Sequence, residues 1–124
     1  DLERIGDNAR DIAEICMGLP DDCDRSSLGL IKEMAEATVN LLNRSIDSFV
    51  NLDLDLAKKI DDEDDVVDKY FVMIRDQLID IIKADFDPGA AIDFIMIAKY
   101  LERISDHGVN IADWVIFTLE GSRT

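Results

Sequence analysis

The chain has 124 residues, 48% of them hydrophobic, and 28 acidic against 13 basic side chains give a net charge of −15. That length suits a single core, and that charge argues against direct binding of DNA, RNA or an anionic membrane surface while favouring cations or basic partners. No apolar run approaches the ~20 residues that span a bilayer, and two cysteines, Cys16 and Cys23, are too few and too oddly spaced for a disulfide framework or a zinc site.

The first predicted element runs from Leu2 to about Met17, where Leu2, Ile5, Ala9, Ile12, Ala13 and Cys16 recur with a helical period before Gly18-Leu19-Pro20 ends it. Cys16 lies on that apolar row and reads as a packed free thiol. Turn formers fill Asp21 to Ser26, and Ser26 or Ser27 is placed to cap a second helix reaching about Val50. Its stripe holds Leu30, Ile31, Met34, Thr38, Leu41, Leu42, Ser45 and Phe49. A short connection with Asp53 as cap leads into a third helix extending to about Ala84, and a link that short makes its helices antiparallel neighbours. Asp87-Pro88 then offers a cap acceptor followed by Pro at the first helical position, opening a last helix that runs to about Leu119. No stretch of useful length alternates with period two. The fold class is therefore all-α, an antiparallel helical bundle.

The first and last elements share a phrase. Leu2-Glu3-Arg4-Ile5-Gly6-Asp7 returns 99 positions later as Leu101-Glu102-Arg103-Ile104-Ser105-Asp106, and Ile12-Ala13 returns as Ile111-Ala112. Residues 1–14 and 100–113 agree at seven of fourteen positions, which marks an internal repeat. The second copy sits deep inside a long helix, whereas the first opens the chain. The first unit is thus expected to lack roughly 85 to 95 preceding residues if the period is constant, a view that the missing initiator Met supports. Small residues also match, Gly6, Ala9 and Ala13 against Ser105, Gly108 and Ala112. A mid-helix Gly such as Gly108 costs ~1 kcal/mol against Ala, so a closely approaching neighbour helix is its expected compensation.

Each copy carries an i, i+4 carboxylate pair on one helix face, Glu3 with Asp7 and Glu102 with Asp106. The third helix adds Asp61-Asp62-Glu63-Asp64-Asp65, and Asp64 interrupts an apolar row of Leu56, Ile60, Val67, Phe71, Ile74, Leu78 and Ile81, with Asp68 one turn on. Glu102 likewise interrupts Ile95, Ala98, Ser105, Val109, Ala112 and Ile116. Two such pairs turned toward one groove would repel each other unless cations neutralise them. All-oxygen ligands suit Mg²⁺, Mn²⁺ or Ca²⁺, with iron where carboxylates bridge, so the candidate metal ligands are Asp64, Asp68, Glu102, Asp106, Glu3 and Asp7. Arg4 and Arg103, each next to the first acid of its copy, are expected to point elsewhere than that acid, as surface or ion-pairing groups. His107, the only histidine, lies off the acidic face. There is no nucleophile paired with a base, no phosphate-cradling Gly-rich loop and no basic patch, so nothing favours an enzyme.

The doubled phrase with Asn8-Ala9 and Ile12-Ala13, its echo from Tyr100 to Ala112, and Asp64-Asp65-Val66-Val67-Asp68 before Tyr70 resemble the PhoU family of phosphate-uptake regulators. The resemblance implies two tandem three-helix units, of which residues 1–19 are the last helix of an incomplete first repeat and residues 20–124 a complete second repeat. It implies a cytoplasmic, non-catalytic adaptor that restrains a high-affinity phosphate transporter and signals to a sensor histidine kinase, with metal held by the paired acidic motifs. Membrane contact would run only through those partners, and exposed apolar surface on the incomplete unit would drive a homodimer or higher oligomer. The alternative is a helical metal-binding or oligomerisation domain attached to a transporter or a transcription regulator. Ser105 and Gly108 depart from the usual Gly and Ala of the phrase but keep the side chains small.

Overall fold

The structure, a computed structural model, describes residues 2–19, 25–63, 65–83 and 88–121, apart from the side chains of Arg25 and Ser26. These residues form five helices and no strand: α1 (Leu2–Met17), α2 (Arg25–Asn51), α3 (Leu54–Asp62), α4 (Asp65–Lys83) and α5 (Pro88–Glu120). The all-α class stands. No described helix is long and apolar enough to cross a membrane.

Two expectations about the middle of the chain need correction. The third helix is not continuous: Glu63 leaves the helical dihedrals, at φ −95° and ψ 8°, and caps α3 with its N–H shared between the carbonyls of Lys59 and Ile60. A run of neighbouring carboxylates raises mutual repulsion along a helix, and a break spreads them; Arg44 of α2 hydrogen-bonds Glu63 at that point. Helix α2 starts at Arg25, so Ser27 lies inside its first turn, buried, rather than at the cap. The other boundaries hold where the residues are described; Asp87, expected to cap the last helix, lies outside them. Asp53 caps α3 by accepting the Leu56 N–H at 3.1 Å. Between α2 and α3, Leu52 takes a φ of 50°, a left-handed conformation that a Leu adopts only under local constraint.

Helix α5 is the axis of the molecule, packed against each of the other four. One core cluster joins its first half, through Ala91, Phe94, Ile97 and Leu101, to Ile31 and Met34 of α2 and to Val67, Ile74 and Leu78 of α4. A second joins Val109, Ala112, Val115 and Ile116 to Leu41 of α2 and to Ala57 and Ile60 of α3. Helix α2 therefore runs parallel to α5, and α3 with α4 returns between them. Phe94, Met34, Ile60 and Ile74 are fully buried, each contributing about 1.5 to 3 kcal/mol of apolar transfer.

Close approach of α2 to α5 rests on small groups. A Cβ on Gly108 would lie 2.7 Å from Leu41 Cδ2 and 3.4 Å from Ser45 Oγ, so Gly108 fulfils the expectation of a crowding neighbour. On α2, Thr38 and Ser45 donate to their own helix's carbonyls of Met34 and Leu41 at 2.8 and 2.9 Å, and Ser48 donates to Ser45 at 2.7 Å. These bonds allow hydroxyls in a buried contact without loss of hydrogen bonding. Lys58 of α3 pairs with Glu120 in the last turn of α5, and that hydrogen bond raises the lysine pKa.

Helix α1 packs chiefly on α5. Ile12, Ile15 and Leu19 meet the edge of the first cluster, while Leu2 lies beside Ile111 and Trp114, so the two helices are antiparallel. Cys16 is exposed, which corrects its reading as a packed thiol. The physical reason is that Ile5, Ile12 and Ile15 form the contact line, and Cys16 lies off it.

Candidate functional site

Antiparallel packing of α1 on α5 brings the two copies of the phrase face to face. Arg4, Asp7 and Asn8 from the first copy and Arg103, Asp106, His107 and Asn110 from the second line one open cleft of about 450 Å³. Three of these are matched positions, Arg4 with Arg103, Asp7 with Asp106, and Asn8 with His107. Both arginines are exposed, as expected, and each lines the cleft beside the second acid of its copy. A residue is ~100° from its successor but only ~60° from the residue three further on, so each arginine shares a face with the aspartate of its own copy.

Charges in the cleft are partly matched within each helix. Arg10 pairs with Asp7 at 3.4 Å, and Arg103 lies over the Tyr100 ring at 5.6 Å. Partial burial lowers the His107 pKa, and the positive charge of Arg4 lowers it further, against an opposing pull from Asp106. Beside the cleft is an apolar hollow of about 390 Å³ lined by Leu2, Ile46, Phe49, Ile111 and Trp114, with the Phe49 and Trp114 rings 5.3 Å apart.

The expected metal ligands do not gather in one place. Asp7 and Asp106 line the cleft and are exposed, as is Glu3. Glu102 of α5 is largely enclosed. Its side chain is 18% exposed, and Lys99 Nζ donates to its Oε1 at 3.0 Å. The same ammonium lies 5.7 Å from the centroid of Phe71 on α4, one turn after the exposed Asp68. Asp64 lies outside the described residues. The donors are of the right kind for a hard cation, since all are carboxylate oxygens. Their arrangement does not fit one as it stands: among the described residues no three His, Cys, Asp or Glu side chains gather closely enough to hold a metal ion, and Glu102 already holds an ammonium.

Reading the sequence one helix at a time missed the cleft and Lys99. Both had a signal. The repeat offered the pairing of Arg4 and Asp7 with Arg103 and Asp106, and Lys99 is a basic residue one turn before the acid that interrupts an apolar row.

Comparison with known proteins places the chain firmly. The model of the PhoU domain matches residues 31–115. A phosphate-specific transport system accessory protein PhoU homolog of Clostridium acetobutylicum is 31% identical over 99% of this chain and 57% of its own length, and PhoU homolog 1 of Thermotoga maritima is 34% identical over 98% and 53%. The crystal structure of the phosphate transport system regulatory protein PhoU from Streptococcus pneumoniae superposes with a TM-score of 0.82 at 21% identity, covering 99% of this chain and 58% of that one. The chain thus spans just over half the length of the relatives it matches.

Proposed function

The chain belongs to the PhoU family, and from that premise we propose that it is a non-catalytic regulator that restrains phosphate uptake and phosphate-starvation signalling. It acts in the cytoplasm as a helical adaptor, docking on a high-affinity phosphate transporter and on a sensor histidine kinase. The observation that carries this reading is the doubled phrase, whose two copies converge on one open cleft in a family whose named relatives are accessory proteins of phosphate transport. A strongly acidic outer face supports recognition of basic partner surfaces by charge complementarity.

The proposal extends to the chain's organisation. Residues 1–19 belong to the last helix of one repeat, and residues 20–124 form a complete following one. Support comes from α1, where Gly6, Ala9, Ala13 and Cys16 are exposed, although their equivalents Ser105, Gly108, Ala112 and Val115 are buried. Helices equivalent to α2 and α3, or a second copy of the chain, would cover that face. Cation binding by Glu102, Asp106, Asp68, Asp64, Glu3 and Asp7 is the finest part of the reading, and for Glu102 it requires displacement of Lys99.

Deletion of the gene in its host tests the central claim. In phosphate-replete medium the deletion should raise the rate of phosphate uptake and switch on a phosphate-starvation reporter, with the intact gene restoring both. Uptake and reporter unchanged from the parent strain would overturn it.

A further inference from the structure

We propose that the outer row of α2 is a self-association surface on which a second copy of this chain docks antiparallel. Ala35, Val39, Leu42, Ile46 and Phe49 follow one another at spacings of four, three, four and three residues, the repeat by which one helix presents an apolar seam to another. The face that α2 turns inward is a different one, made of Met34, Thr38, Leu41, Ser45 and Ser48, all buried. No such cover protects the seam: Val39 is 54% and Phe49 48% exposed, while Ala35, Leu42 and Ile46 are half-buried. Continued at the same spacing, the row ends on Lys32 at one side and Asp53 at the other. Between them it carries no charge, in a chain of which 33% of the residues are charged.

The occupant follows from the symmetry of the row. Laid antiparallel on itself about Leu42, it sets Leu42 against Leu42, Val39 against Ile46 and the small Ala35 against the large Phe49, and it brings Lys32 of each copy to Asp53 of the other. Each unlike contact then occurs twice, as a two-fold interface requires. Among the described residues Lys32 makes no ion pair within its own chain. A basic partner would find no carboxylate along the apolar stretch, whereas two copies meet there without opposing like charges. The same approach lays the second copy's α2 over α1. Leu2 lines the hollow beside Ile46 and Phe49, and the exposed Ala9 and Ala13, at i+7 and i+11, share its side of α1 and let another helix come close. Away from the seam both copies carry the charge of −15, so their repulsion opposes the contact and dissolved salt relieves it.

Sedimentation equilibrium of the full chain tests the proposal, with each variant first checked for its helical circular dichroism. The parent should show a monomer–dimer equilibrium that tightens as NaCl rises from about 50 to about 500 mM. Val39→Glu puts a carboxylate on the seam twice per dimer and should weaken association about a hundredfold, and Ile46→Lys should act likewise. An equimolar mixture of those two variants sets the new carboxylate opposite the new ammonium in the antiparallel register and should recover most of the loss. Lys32→Glu, at an exposed site that no fold contact depends on, should weaken the dimer about tenfold. A monomer at every salt concentration, up to about 1 mM chain, would overturn the proposal and leave the row to a different occupant. So would an association that salt weakens, that Val39→Glu and Lys32→Glu leave unchanged, or that the mixture fails to restore.

Discussion

The two copies of the phrase have nearly the same letters and opposite fates. Ile5 and Ile104 are buried in both, but Leu2 is 65% exposed where Leu101 is 6% exposed, and the small residues of α1 face outward where those of α5 are enclosed. Similar helix-forming segments thus differ in what surrounds them: α5 packs against four helices and α1 chiefly against one. The shared part of the phrase specifies the contact between the copies. The flanking small residues gain meaning only where another helix covers them.

Matched substitutions sharpen that contrast, and the largest effect is expected at the alanines. Ala112→Leu forces extra carbons into the second core cluster and should cost about 3 kcal/mol, lowering the thermal midpoint by roughly 10 °C. Ala13→Leu on exposed α1 should change stability by less than about 0.5 kcal/mol. Equal losses in urea denaturation would show that α1's outer face is covered in solution. A smaller split is expected at the glycines. Gly108→Ala gains helix propensity but drives a methyl into Leu41, for a net loss of about 1 kcal/mol. Gly6→Ala meets open space and should stabilise by about 0.5 kcal/mol.

The smallest effect concerns protons. His107 has a lowered pKa in the folded chain, so the unfolded chain binds its proton more readily. The associated stability is present above the ordinary histidine value of about 6.5 and is lost as pH falls through the folded value. Exchanging it for the residue of the other copy, His107→Asn, should flatten the dependence of stability on pH between about 5 and 7. An unaltered slope in denaturation curves across that range would show that His107 is not its source.

Most of the bundle was legible in the sequence, because long amphipathic periods, the Asp53 cap and Pro88 at the first position of α5 are local signals. Rows such as Ile31, Met34, Thr38 and Leu41 buried as their spacing implied. The break after α3 was not legible, because a helical period passes through Asp61 to Asp68 unchanged while repulsion and the Glu63 turn act on the backbone. Enclosure of α5 on several sides also escaped a single-stripe reading, since the buried Ile97, Ile104 and Val115 lie about 100° or more around the helix from Ala98. At the site, the acidic pairs were visible as spacing. Their arrangement across two surfaces depended on how α1 and α4 cross α5, which no single helix encodes.

The cleft between α1 and α5 has one further consequence. Two antiparallel copies of one phrase are related by a half-turn, so a partner approaching from either end meets an arginine and an aspartate in the same order. A surface of that kind is nearly blind to direction. What breaks the tie inside the cleft is Asn110, whose counterpart Asp11 is not part of the lining, together with the pair Asn8 and His107, an amide that never ionises against an imidazole that does.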